Sequence, residues 1–162
     1  MEKISRPFSY IRYDHIDSLD PKDHALLQQA RRATSLAYAP YSKFRVGAAL
    51  QLSNGIIVSG ANQENASFPA GICAERVALS TVSSQYPGCK IEAMALSYDN
   101  KAGESDHPVS PCGICRQSLA EWEQRQSFPI KIILGGLTGE IYIIEFASLL
   151  LPLAFSAGDM TV

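Results

Sequence analysis

Leu26, Leu27, Ala30, Ala33, Thr34 and Ala37 recur three and four residues apart, the period that lines up one face of a helix. Asp20-Pro21 stands just before this run, a capping side chain followed by a ring suited to the first helical position, and Asp23 lies where the positive helix end favours an acid. Together they predict an amphipathic helix over residues 21–38, stopped ahead of Pro40. The pattern then changes. Val46 to Leu52 and Ile56 to Ala61 are apolar or alternating runs joined by Ser53-Asn54-Gly55, and Asn-Gly suits a tight hairpin because both residues tolerate positive φ. An antiparallel pair is expected. Residues 62–72, with Pro69 and Gly71, read as a loop into a second helix that opens near Cys73 and carries Val77, Ala78, Leu79 and Val82.

Ile91 to Tyr98 reads as a buried strand and residues 99–110 as a polar loop. A third helix runs from Cys112 to about Gln126 behind the start signal of Pro111, carrying Leu119 and Trp122. Ile130 to Leu134 and Glu140 to Ile144 are further strands about Gly135, Gly136 and Gly139, and Phe146 to Leu151 is a last short helix before Pro152. Helices and strands in this order imply an α/β protein with one mixed sheet covered on both faces. Periodicity does not set the strand order. Residues 1–20 read as an N-terminal extension, an ordered arm on a single domain over 21–158, with 159–162 as a tail; a short extra strand built on Phe8, Tyr10 and Ile11 to Tyr13 is the less favoured reading.

At 162 residues and 46% hydrophobic content the chain fits one globular domain. The net charge of -2 and pI near 5.9 give no basic footprint, so nucleic acid is not an expected partner and a small neutral substrate fits better. Neither a charged-then-apolar leader nor a membrane-length apolar run is evident, so no membrane association is expected. Four cysteines used as thiols suit a reducing, cytoplasmic location.

Three of those cysteines carry the chemistry. Cys112 and Cys115 sit three apart, on one face of a helix's first turn, and Cys73 opens the preceding helix. Zinc is tetrahedral, and three protein ligands with one open position is the count of a catalytic site; a structural zinc ribbon would need a second Cys-x-x-Cys, which is absent. Cys89, with no cysteine near it in sequence, reads as a bystander. Three thiolates and one Zn2+ sum to one negative charge, which two helix N-termini and Arg76 would offset. Glu75 is too close to Cys73 to be a comfortable extra ligand and is better suited to carrying protons.

Cys73-Ala74-Glu75-Arg76 with Pro111-Cys112-Gly113-Ile114-Cys115 resembles the signature of zinc deaminases, in which a non-ligand glutamate precedes Pro-Cys-x-x-Cys. In the same order, Ala37-Tyr38-Ala39-Pro40-Tyr41-Ser42-Lys43-Phe44, Val46-Gly47-Ala48-Ala49-Leu50, Asn62-Gln63-Glu64-Asn65-Ala66-Ser67, Leu151-Pro152 and Phe155 are similar to the small three-cysteine cytidine deaminases. The resemblance spans residues 22–158. It implies a three-layer α/β/α fold with a mixed five-stranded sheet, one Zn2+ per chain on Cys73, Cys112 and Cys115, and hydrolytic deamination of cytidine and 2'-deoxycytidine with Glu75 as the catalytic proton carrier. It further implies that Phe44 stacks on the pyrimidine, that Asn62 and Glu64 hydrogen-bond the ribose, and that the main chain of Ala74 and Pro111 holds the base edge. Arg76 is implied to neutralise the thiolates. Phe155 is implied to close the site of a neighbouring subunit in a homotetramer. Phe68 stands where relatives often carry tyrosine, and Arg45 replaces a common proline. The rival readings are a deaminase of another aminopyrimidine nucleoside such as blasticidin S, a deaminase of RNA or single-stranded DNA, and a structural zinc protein without turnover, against which the intact Glu75 counts.

Overall fold

The structure, a computed structural model, describes residues 1–160; residues 161–162, the end of the expected tail, lie outside the described residues. Helix α1 (Pro21–Ala33) starts as its sequence requires: the Asp20 carboxylate accepts hydrogen bonds from the Lys22 and Asp23 amides, both at 3.0 Å, and Pro21 holds the first turn. It ends earlier than the predicted residue 38, tightening into a 3-10 turn over Thr34–Leu36. Thr34 Oγ1 donates to the Arg31 carbonyl at 2.8 Å, and the adjoining strand presses close through Gly47, where a Cβ would collide with the Ala30 carbonyl and the Thr34 amide.

The hairpin of β2 (Phe44–Leu52) and β3 (Ile57–Ala61) turns at Gly55, which adopts φ +86. On its other edge β2 pairs antiparallel with β4 (Ile91–Asn100), which runs two residues beyond the predicted Tyr98 because Asp99 and Asn100 register with Arg45 and Phe44. Strand β5 (Lys131–Gly135) lies parallel to β4, and β6 (Ile141–Ile144) lies antiparallel to β5. The arm supplies one more strand, so the sheet has six strands and not the expected five, in the order β1-β6-β5-β4-β2-β3. β1 (Ile11–Tyr13) registers antiparallel with Ile141–Ile143. Two side-chain contacts fix it there: Arg12 Nε meets Glu140 Oε2 at 2.7 Å, and the Tyr10 ring lies 4.5 Å from that of Tyr142.

Successive strand residues alternate between two cores, as pleating demands. Ala49, Ala93, Ala95 and Ile133 pack against Leu26, Leu27 and Ala30 of α1. On the opposite face Leu50, Met94, Leu96 and Ile132 pack against Ala78, Leu79 and Val82 of α2 (Ala74–Gln85) and Leu119 of α3 (Gly113–Gln126). This is the three-layer arrangement. The predicted last helix is a 3-10 segment, Ala147–Leu150, and the Glu123 carboxylate from α3 accepts from the Ala147 and Ser148 amides at 3.0 and 2.9 Å, satisfying that segment's free N–H groups. Among the described residues no helix is long and apolar enough to cross a membrane.

Candidate active site

Helices α2 and α3 lie on the same face of the sheet, and a cysteine immediately precedes each: Cys73 before Ala74 and Cys112 before Gly113. Neither side chain caps its own helix, so both sulfurs are free to turn towards each other. Cys73 Sγ lies 3.7 Å from Cys112 Sγ, Cys112 Sγ lies 3.5 Å from Cys115 Sγ, and all three are within 4.8 Å of one another. Cys115 is buried, Cys73 half-buried and Cys112 exposed, so the cluster opens outward on one side. Gly60 of β3 lets α2 come this close, since a Cβ there would strike the Ala74 carbonyl and the Ala78 amide.

The thiols share charge. Cys73 is brought down to about 6, first by the hydrogen bond from Cys115 and then, against the opposing effect of burial, by Cys112 and the positive charge of Arg76. Cys115 is pushed upward, chiefly because it donates that bond to Cys73 and also because it is buried. Three clustered thiols are soft donors that a divalent ion joins by displacing protons. The donor number and type fit an open zinc site, and two helix N-termini supply compensating positive potential.

Glu75, in the first turn of α2, is only 3% exposed. Its carboxyl is raised above the ordinary range, mainly by burial and further by the Cys73 charge, while its own amide, Cys115 and Arg76 pull the other way. Arg76 therefore acts on both Cys73 and Glu75 through its charge; among the described residues it makes no hydrogen bond to the sulfurs.

Beside Cys73 lies a cavity of about 590 Å3, a volume that suits a small molecule. Tyr41, Ser42, Asn62, Gln63, Glu64, Asn65, Phe68, Gly71 and Ile72 complete its wall. Asn62 is committed to the mouth of β2, accepting from the Val46 amide at 2.7 Å and donating to the Phe44 carbonyl at 3.0 Å. Glu64 Oε2 accepts from the Tyr41 and Ser42 amides at 2.8 and 3.3 Å, and the Ser42 hydroxyl is the chief reason its carboxyl stays below the usual range. Ala74 opens α2, leaving its N–H without an intrahelical acceptor. Pro111 is buried and its carbonyl accepts from Arg116 Nε at 2.8 Å. Phe44 does not line the cavity wall but stacks on Tyr98, with centroids 4.8 Å apart and planes 14° apart. The Phe155 ring is exposed and away from this cavity, its carbonyl bonded by Gln117 Nε2 at 2.8 Å.

The structure thus gathers Cys73, Cys112, Cys115 and Glu75 and sets Asn62 and Glu64 beside them, but not Phe155. Arg116 was not singled out from sequence. It bridges the Pro111 and Leu150 carbonyls, and its place directly after Cys115 was the available signal.

An open thiolate zinc site with a buried carboxylic acid at its edge defines a zinc-dependent deaminase centre. Residues 20–128 match the family model of the cytidine and deoxycytidylate deaminase zinc-binding region. The chain belongs to this family and binds zinc. It is 44% identical over 136 residues to a cytidine deaminase of Halalkalibacterium halodurans, covering 83% of this chain and 95% of that protein. The crystal structure of cytidine deaminase from Burkholderia pseudomallei superposes with a TM-score of 0.69 at 38% identity, covering 82% of this chain and 98% of that one. A blasticidin-S deaminase of Bacillus cereus is 28% identical over 107 residues, 65% of this chain and 76% of that protein.

Proposed function

We propose that the protein is a cytidine deaminase that hydrolyses the exocyclic C4 amine of cytidine and 2'-deoxycytidine, giving uridine or 2'-deoxyuridine and ammonia. The observation that carries this reading is the burial of Glu75 against three clustered thiols. Cys73, Cys112 and Cys115 would hold one Zn2+ per chain. Zinc there supplies a Lewis acid that brings the pKa of water to about 7, making a nucleophile available at neutral pH.

Glu75 takes a proton from the attacking water and delivers it to N3, which makes C4 electrophilic. Once the oxygen has added to C4, Glu75 takes the remaining proton from that hydroxyl and gives it to the departing amine, so that the C–N bond breaks as the C4 carbonyl forms and ammonia leaves. A carboxyl raised by burial suits a group that must both accept and return a proton. Arg76 and the two helix ends offset the thiolate charge. The Ala74 amide and the Pro111 main chain bind the base edge, Phe44 faces the pyrimidine, and Asn62 and Glu64 meet the ribose. The ionised Glu64 repels a sugar phosphate, so the substrate is a nucleoside and not a nucleotide. Phe155 completes the site of a neighbouring subunit in a homotetramer, and the enzyme works in the cytoplasm.

A substrate panel tests the reading through the loss of ultraviolet absorbance with cytidine, deoxycytidine, blasticidin S and an oligonucleotide. Turnover of the first two is expected. Turnover of blasticidin S or the oligonucleotide with neither nucleoside consumed would overturn it.

A further inference from the structure

Tyr98 is 1% exposed, one of the largest fully buried side chains, and sits on the β4 face that packs under α2 and α3. Its ring and that of Phe44 form a nearly parallel stack, while the Phe44 side remains partly open to solvent. At its other end the Tyr98 hydroxyl lies 3.2 Å from His107 Nδ1, the same nitrogen that lies 3.0 Å from Asp106 Oδ1. His107 holds the Asp106 carboxyl below its usual range, and an ionised carboxylate can only accept. Nδ1 therefore carries the hydrogen and shares it between Asp106 and the Tyr98 oxygen.

The loop that presents His107 is itself seated on the turn between β5 and β6. The Thr138 amide donates to the Ser105 carbonyl at 3.2 Å, and a Cβ at Gly136 or Gly139 would collide with the Ser105 or Asp106 backbone. The same loop continues through Pro108 into Pro111 and Cys112. One buried phenol thus touches both the ring at the start of β2 and the loop that leads to Cys112 and Cys115.

We infer that Tyr98 is a positioning residue for Phe44: it occupies one face of that ring and, anchored by His107, fixes its plane, so that only the opposite face is offered to a planar ligand. That the ligand is a pyrimidine base rests on the deaminase reading; the clamp on Phe44 does not. Offset and parallel aromatic stacks are worth enough to alter affinity about threefold to tenfold, so the effect should appear in ligand binding and not in proton transfer.

Steady-state kinetics on zinc-replete variants tests this. Tyr98→Leu should raise the KM for cytidine about threefold to tenfold with kcat within about twofold, and Tyr98→Phe, which keeps the ring, should restore most of the loss. Phe44→Leu should raise KM at least as far, and the double variant should be no worse than Phe44→Leu alone, because Tyr98 acts through Phe44. Independent effects that multiply in the double variant would overturn the proposal. Ring-flip rates of 13C-labelled Phe44 by nuclear magnetic resonance give a readout without substrate: flipping should quicken when Tyr98 is replaced by Leu, or by Met, whose flexible chain fills irregular gaps, should the Leu variant not fold. An unchanged rate would overturn the clamp. A wild-type protein inert towards cytidine, with Phe44 still slowed by Tyr98, would instead sink the deaminase reading alone.

Discussion

Cys73 and Cys112, 39 residues apart in sequence, bring their sulfurs to 3.7 Å because each immediately precedes a helix on the same face of the sheet. Cys115, one helical turn on, completes the cluster, whereas Cys89 accepts a hydrogen bond from Asn54 Nδ2 at 3.3 Å and is no part of it. Metal analysis of purified protein should give about one zinc per chain. Cys112→Ser should lose most of that zinc and Cys89→Ser none. Equal loss from both variants would refute the ligand set.

Glu75 is the buried acid at the cluster, and Glu75→Gln keeps its size while removing its ability to accept a proton. Zinc content should stay at the wild-type level while kcat falls by about 10²- to 10⁴-fold, the range of general acid-base catalysis. Near-normal turnover in zinc-replete Glu75→Gln would exclude Glu75 as the proton carrier.

What could be read in the sequence was what local chemistry decides. The Asp20-Pro21 helix start, the Asn54-Gly55 turn and the Cys112-x-x-Cys115 spacing each depend on a few neighbouring residues, and each stands where expected. The sixth strand is only the less favoured reading of the arm: three residues are too few to establish alternation, and β1 is held by Arg12 on Glu140 and Tyr10 on Tyr142, contacts made only once the chain has folded. Helix α1 stops short for a similar reason, since the close approach at Gly47 is tertiary. Tyr98 sits in a strand of apolar residues and looked like ordinary core; its role comes from Phe44 and His107, neither of them close in sequence.

The Asp20 cap gives the fold a pH-dependent increment. Hydrogen bonds from the Asp23 amide first, and from Lys22, hold its carboxyl below the ordinary 3.8 in the folded chain. A depressed acid contributes stability that is present above the unfolded pKa and is lost as the pH falls through the lower folded value. Asp20→Ala should therefore cost about 1 kcal/mol near pH 7, the usual worth of a helix cap. The gap between the two unfolding curves should narrow once the pH drops below 3.8. A gap that stays constant to low pH would show that the charge on Asp20 does not matter.

Phe68 is 76% exposed at the cavity wall, edge-on to the exposed Tyr41 at 5.9 Å, and Phe155 is 59% exposed on the C-terminal segment. Fully burying one such side chain contributes about 1.5–3 kcal/mol, so these rings favour a partner surface. The homotetramer of dihedral symmetry proposed above would cover them and would place the Phe155 of one subunit at another's site, as closed point groups make every copy equivalent. In that assembly activity would depend on association. Specific activity should fall on dilution once tetramers dissociate, and Phe155→Ala should shift that fall to higher protein concentration. Light scattering at micromolar concentration should report a mass about four times that of one chain. A monomer of full specific activity, unchanged on dilution, would show that each chain builds its own site.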